Sequence, residues 1–594
     1  MSERHAYRCT MGATLLDPSR TLFRLWAPTC TEVSLLLEGY PDLPMHVAAG
    51  GYFECIAPVG AGARYRYRVG PDLIVPDPAS RAQPDDVHGP SMVVDPRAFE
   101  WRSTQWNGRN WEQAVIYEVH VGIAGGFRAL CDDLPRIAAL GITAIELMPL
   151  SEFPGGRNWG YDGVLPYAPE SSYGTVDDLK MLVDTAHRIG LMVFLDVVYN
   201  HFGPDGNYLA QYAAPMFHAG SHTAWGAAID FRIPQVRTYF LDNALYWLME
   251  YRFDGLRLDA VDAIPERDWL VELLVHVRAC VEPGRRVHLM LENRNNDADL
   301  LRRGFDAQWN DDGHNVLHVL LTGEHEGYYG NFQAGTACEL ATVLRDGFVF
   351  HGQVEPVTGQ PRGSPSGDLP ATSFILFLQN HDQIGNRAFG ERLDRLVDPR
   401  ALLAAYALLL LSPQIPMLFM GEEWGSTRPF LFFTSHNAAL GRIVRDGRRA
   451  ELAAFSHFSD PAVRETIPDP NDPATFEASC LPKSDRQSAR AQDRINLITH
   501  LLALRAKWIV PRLRDAHALD ARAIGQAAVI ARWRMNDGAV LTIMLNLGPH
   551  AQADMPPCAD RLVYAHPPPD RGKGTPVVLS GYGVMVFMTG DGHG

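Results

Sequence analysis

A barrel of eight parallel strands, each alternating with helix, is the fold this sequence predicts for its central part. Three observations carry the expectation. Short, near-continuous apolar runs recur eight times between residues 111 and 425, the pattern of strands buried on both faces. Segments with apolar residues at i, i+3 and i+4 lie between most of them. Polar residues then follow the apolar runs abruptly, as they do at the C-terminal mouth of a (β/α)₈ TIM barrel.

The strand-like runs are 114–121, 143–148, 191–198, 255–259, 287–291, 305–309, 374–378 and 416–420. Val236, Phe240, Leu241, Ala244, Leu245, Leu248 and Met249 space out an amphipathic helix just before the fourth run. Leu179, Leu182, Val183 and Ala186 do the same before the third, with Gly190 suited to the C-cap. The segments 151–174 and 311–371 exceed a plain crossover and are expected to lie over the barrel mouth.

On the N-terminal side, β-type runs at 21–27, 32–37, 51–56 and 64–69, punctuated by Pro and Gly, predict a small β-sandwich. Alternation puts Tyr65, Tyr67 and Val69 on one face, expected to be core. Residues 75–96, rich in Pro, Asp and Ser, read as a linker. Residues 426–520 look helical and irregular, with a polar surface loop at 467–490. Runs at 527–533, 539–545 and 582–588 predict a C-terminal all-β domain, a second β-sandwich. The expected division is therefore 1–95, 96–520 and 521–594.

Lys+Arg 53 against Asp+Glu 69 gives a net charge of −16, which argues against nucleic acid or an anionic membrane as partner and suits a neutral substrate. The longest apolar run, 401–411, falls short of the roughly 18 residues a bilayer span needs. The N-terminus shows no apolar signal region. Eight cysteines without a CxxC pair read as free thiols of a cytoplasmic protein.

The candidate chemistry follows the strands. After the third run comes Asp196-Val-Val-Tyr-Asn200-His201; within the fourth stand Arg257 and Asp259; Glu292-Asn293 follows the fifth and Asn380-His381-Asp382 the seventh. Arg257 and Asp259, two apart on a strand, share a face, and a guanidinium keeps its neighbour ionised, as a nucleophile must be. Glu292, preceded by Leu289 and Leu291 and near other carboxylates, is expected to have its pKa raised towards about 6, which suits a general acid. Asp382 is a third carboxylate able to hold sugar hydroxyls, with His201 and His381 as donors. Glycoside cleavage with retention needs such a set: one carboxylate attacks and another protonates the leaving oxygen.

These four clusters, in this order, resemble the signature regions of the α-amylase superfamily (glycoside hydrolase family 13). The resemblance implies an immunoglobulin-like N-terminal domain, a catalytic barrel and a C-terminal β-domain. It also implies Asp259 as nucleophile, Glu292 as acid/base and Asp382 as transition-state stabiliser. Tyr161, in Trp159-Gly160-Tyr161-Asp162-Gly163, matches the aromatic stacking on the −1 sugar, and Trp159, Arg257 and Asn380 join the expected substrate-binding set. Asn200 matches a calcium ligand of some amylases, yet no full oxygen cage surrounds it, so no metal or cofactor is expected.

Finer likeness, in Trp309 to Asn315, His318 to Glu324, Pro429 to His436 and Gly447-Arg448-Arg449, is to the malto-oligosyltrehalose trehalohydrolases. It implies cleavage of the α-1,4 bond between a maltooligosaccharide and terminal trehalose, and functional pairing with a maltooligosyltrehalose synthase. The alternative with the same chemistry is a 1,4-α-glucan branching enzyme. Asp311, Asp312 and Glu324 are candidates for recognising trehalose. One departure is visible: Glu292 is followed by Asn293-Arg294-Asn295-Asn296-Asp297, where the family tends to carry a second acidic residue earlier.

Overall fold

Eight parallel strands close a barrel at the expected runs: β1 (Ile116–Val119), β2 (Ala144–Leu147), β3 (Met192–Val197), β4 (Gly255–Leu258), β5 (His288–Leu291), β6 (Ala307–Trp309), β7 (Phe374–Phe377) and β8 (Ile415–Phe419), with β8 pairing back onto β1. The computed structural model describes residues 5–223, 226–332, 336–555, 560–568 and 577–589. The extreme ends of the expected first and last domains, and Cys558, lie outside the described residues. The other seven cysteines are free thiols.

Helices pack around the barrel: α1 (Phe127–Ala139), α2 (Val176–Arg188), α3 (Pro234–Met249), α4 (Arg267–Cys280), α5 (Ala298–Arg303), α6 (Asp311–Thr322), α7 (Thr336–Asp346) and α8 (Pro399–Leu411). Helix α2 starts at a capping box in which Thr175 and Asp178 satisfy each other's backbone N–H groups. Helix α8 is the apolar 401–411 run; it is buried nearly all round between barrel and C-terminal sheet, which explains its lack of a polar face. Among the described residues no helix is long and apolar enough to cross a membrane.

Strand alternation fills the barrel and builds its mouth. Ile116, Ala144, Met192, Phe194, Met290, Ala307, Trp309, Ile375, Phe377, Ile415 and Met417 form one buried cluster inside the barrel. The same period of two carries Glu118, Glu146, Asp196 and Arg257 inward at the next level, where Glu118 pairs in register with Glu146 and Asp196 with Arg257. Gly255 opens β4 because a Cβ there would stand 2.4 Å from the His288 carbonyl oxygen.

The N-terminal immunoglobulin-like sandwich pairs Gly12–Asp17, Arg20–Trp26, Tyr52–Ala57 and His46–Ala48 in one sheet, and packs a second sheet centred on Val33–Leu37 and Arg64–Val69 against it. Tyr65 and Tyr67 are core, as expected, and both hydroxyls donate to Asp77. That bond overturns the linker reading of 75–96. Asp77, Ser80, Gln83 and Ser91 are buried, and Asp77 also accepts from the Ala79 N–H; the segment's polar residues serve its own turns and its docking on the sandwich. At the C-terminus, His517–Ile524, Ala528–Arg534, Val540–Asn546, Val584–Met588 and Arg561–His566 form an antiparallel sheet of five strands, with a two-stranded ribbon (Gln552–Met555, Val577–Leu579) beside it.

Candidate active site

Arg257 is the hub. It is fully buried, and its Nη1 donates to Asp196 (2.8 Å) and to Asp259 Oδ1 (2.9 Å), while Nη2 donates to Glu292 Oε2 (2.7 Å). Its guanidinium carbon sits 4.0 Å from the centre of the Trp309 ring. A charge stripped of water in this way persists only if its partners neutralise it, and three carboxylates do so here.

The two carboxylates at the hub differ in what they accept. Asp259 takes Arg257 on Oδ1 and the Asn200 side-chain amide on Oδ2 (2.7 Å), so both oxygens are stabilised as an anion. Glu292 receives both its donors on Oε2, from Arg257 and from the Ala260 N–H (3.0 Å), which leaves Oε1 able to carry a proton. The second donor exists because the chain turns sharply after Asp259: Ala260 has φ of 39°, a left-handed conformation that a non-glycine residue adopts only under local constraint. Burial, then the nearby Asp259 and Asp382 charges, push Glu292 up to about 7 against the pull of Arg257. Burial also raises Asp259, with Arg257 and Asn200 pulling the other way. The unshared Oε1 makes Glu292 the carboxyl that holds the proton.

Asp382 differs again. It is the second residue of the short helical turn His381–Gly385 that Asn380 caps, and its side chain is 38% exposed. His381 next to it donates through Nδ1 to Glu118 (2.5 Å), and its Nε2 lies 3.5 Å from Asp382 Oδ1. Burial alone would lower its pKa; Glu118 and Asp382 outweigh that and raise it to about 9, so His381 is a cation at neutral pH. Tyr161 stacks on the His381 ring (5.1 Å, 24°) and donates to Asp196 (2.6 Å), forming an aromatic wall beside the carboxylates.

Asp259, Glu292, Asp382, His381 and Tyr161 are thus brought together. Asp311, the next inward position after Trp309, joins them: its carboxyl feels Glu292 and Asp382, and burial first, then those charges, push it well above the usual range.

Several expected sugar contacts are instead held inside the protein. Arg257 lies beneath the carboxylates it binds. Both ring nitrogens of His201 are engaged, by Asn200 Oδ1 and by the Tyr161 carbonyl (3.0 Å). Asn380 is buried and its oxygen accepts from Gln383 N. Trp159 is buried edge-on behind His381, stacked on Phe430, with its indole N–H donating to the Leu431 carbonyl. Asp312 is fully buried and accepts from Asn296, Val349 N, Phe350 N and Arg362, so it anchors the loop around 350. Glu324 stands at the cleft but is clasped by Arg387 (2.7 and 2.9 Å) and His318 (2.7 Å); against partial burial they hold it down to about 2.

Two residues of the site, Glu118 and Glu146, lie outside the sequence expectations, and Asn200 has another part than the one expected. Asn200, read against calcium, spends its amide on Asp259. Glu118 and Glu146 were absorbed into apolar strands, although the alternation that aims Arg257 inward aims them inward too. Beyond Asp382, a cavity of about 710 Å³ opens, lined by Glu324, Tyr328, Asn386, Arg387, Phe389 and Arg448 among others. Asn386 links it to the site by donating to Asp382 (3.3 Å).

Comparison with known proteins matches three family models: Alpha amylase, catalytic domain, over residues 96–215; Carbohydrate-binding module 48 (Isoamylase N-terminal domain) over 10–78; and a domain of unknown function over 516–586. The malto-oligosyltrehalose trehalohydrolase of Deinococcus radiodurans is 43% identical over 512 residues, covering 84% of each chain. A 1,4-alpha-glucan branching enzyme of Xanthomonas euvesicatoria is 36% identical over 300 residues, 44% of this chain and 40% of its own. A crystal structure from Salmonella typhimurium, provisionally described as an alpha amylase, superposes with a TM-score of 0.92 at 41% identity, covering 98% of this chain and all of the other. With these matches and the Arg257-centred site together, the chain belongs to the malto-oligosyltrehalose trehalohydrolase family of the α-amylase superfamily.

Proposed function

We propose that this protein hydrolyses the α-1,4 bond joining a maltooligosaccharide to a terminal trehalose, with retention of configuration, and releases trehalose. The observation that carries the chemistry is that neighbouring nitrogens of the Arg257 guanidinium hold Asp259 and Glu292. Carboxylates so held lie side by side, the close spacing that retention requires.

In the first step Glu292 gives its Oε1 proton to the glycosidic oxygen while Asp259 attacks the sugar's anomeric carbon. The C–O bond to trehalose breaks and a glycosyl ester forms on Asp259. In the second, Glu292, now ionised, takes a proton from water, which attacks the same carbon and frees the maltooligosaccharide and Asp259. Asp382 and the His381 cation face the ring on which positive charge develops; Asp382 strengthens its hold on the hydroxyls as that charge grows. Tyr161 supplies the stacking face.

The cavity beside Asp382 supports placing the leaving trehalose there, since it joins charged hydrogen-bonding groups to aromatic faces and is linked to Asp382 through Asn386. No metal or cofactor takes part in this reading. It also sets the protein in cytoplasmic trehalose formation, paired with a maltooligosyltrehalose synthase that supplies the substrate.

Incubation with maltotriosyltrehalose is the test. Equimolar trehalose and maltotriose support the reading. New α-1,6 branch points from amylose alone, without trehalose release from maltotriosyltrehalose, establish the branching alternative instead.

A further inference from the structure

We propose that His218, Asp230 and Glu266 form a binding site for a divalent transition-metal ion of the zinc class, apart from the catalytic carboxylates. The three side chains come from two separate loops. His218 lies on the strand Phe217–His222 and Asp230 just after its partner Ala227–Ile229, a hairpin between β3 and α3. Glu266 precedes α4, on the loop that leaves β4 and carries Asp259.

The geometry is that of a ligand set. One donor atom from each residue lies within 4.8 Å of the other two. His218 Nε2 is 3.1 Å from Glu266 Oε1 and 3.8 Å from Asp230 Oδ1. Donors around a tetrahedral zinc ion with bonds of about 2 Å stand roughly 3.3 Å apart, so the ion fits with small side-chain shifts.

The hydrogen bonding points the same way. His218 Nε2 and Glu266 Oε2 are buried and make no hydrogen bond, although His218 and Glu266 approach so closely. Glu266 occupies the N-cap position of α4 without using its side chain as a cap. Polar atoms left in this condition cost stability unless something takes their lone pairs. Asp230 is fixed in place by Arg232, which donates to its two oxygens at 2.8 and 2.6 Å. An imidazole nitrogen and two carboxylates, with a fourth position for water, is a donor set that zinc accepts. Such an ion would staple the β3 hairpin to the β4 loop without entering the reaction.

The experiment uses the full chain stripped with chelator and then titrated with zinc chloride in a calorimeter. One equivalent is expected to bind with Kd of about 10 μM or tighter, and to raise Tm by about 3 °C or more at saturation. His218→Ala and Glu266→Gln are each expected to weaken that binding at least about tenfold, with unaltered far-UV circular dichroism. Trehalose release by the stripped enzyme at 25 °C should match that of the zinc-loaded enzyme within about twofold, as a purely structural ion requires. Absence of binding at 100 μM zinc (about tenfold above the expected Kd) overturns the proposal. Equal affinity in both variants also overturns it, since the zinc then binds elsewhere on the chain.

Discussion

Two buried charge networks, one around Asp254 just before β4 and one around Arg257 within it, are built to opposite ends. Below β4, Asp254 accepts from His187 Nε2 (2.8 Å), from the Val193 N–H (2.9 Å) and from the Trp106 indole (2.8 Å), and Trp106 stacks on His187. Burial alone would raise Asp254; His187, Arg285 and Trp106 outweigh it and hold the carboxyl low. At the top, Arg257 gathers Asp196, Asp259 and Glu292, and the carboxyls it holds are pushed up. In the lower network the Asp254 carboxylate is fully buried and both of its oxygens are engaged by donors. The upper one keeps Glu292 Oε1 without a partner and Asp382 open. Charge saturated with donors stabilises a fold, whereas charge left short of donors is available for chemistry.

Substitutions should separate the two. The largest expected effect is at Asp259→Asn, where kcat falls at least about a thousandfold while Tm stays within about 2 °C of wild type. Residual activity above that level moves the nucleophile elsewhere. Glu292→Gln should slow maltotriosyltrehalose by about a hundredfold or more, yet cost an α-glucosyl fluoride, which needs no protonation, less than about tenfold. Equal losses remove Glu292 as the acid.

At the lower network Asp254→Ala should do the reverse. Loss of one member of a buried pair costs about 3–5 kcal/mol of unfolding free energy, read by denaturant titration, with kcat at 25 °C changed less than about threefold. Because the folded pKa of Asp254 lies below its unfolded value, the stability it gives is present above about pH 4 and lost as pH falls through the folded pKa. Wild type and variant should converge in acid.

Glu292 has the opposite sign. Its folded pKa lies above the unfolded one, so its contribution is full in acid and is lost as pH rises through about 7. Glu292→Gln should therefore gain stability relative to wild type between pH 4 and pH 8. The same titration sets the pH profile: kcat/KM should fall as pH rises through about 7, where the acid loses its proton, and fall again near 9 as His381 loses its charge. A wild-type profile flat from pH 6 to 9 contradicts the assignment.

How far the sequence was legible depended on parity. The eight strands and the clusters at 259, 292 and 382 were readable because apolar runs end abruptly in polar residues. Counting on by twos from Gly255 reaches Arg257 and Asp259, and from His288 reaches Met290 and Glu292. The same count from Ala307 reaches Asp311 and not Asp312, which separates a residue of the cleft from one buried under the 350 loop; residue type alone does not. Glu118 and Glu146 obeyed the rule but stood inside apolar runs. What parity cannot show is where loops lead. The Asn200 amide meets Asp259 only because the β3 loop folds back over β4, and Asp77 anchors Tyr65 and Tyr67 only once residues 75–96 pack on the sandwich.

The most direct test is to trap the intermediate. A 5-fluoro-α-glucosyl fluoride, which forms the glycosyl ester faster than water releases it, should add one sugar to the enzyme, and peptide mapping should place that sugar on Asp259. A label on Glu292 or Asp382, or no ester at all together with a product of inverted configuration, contradicts the account.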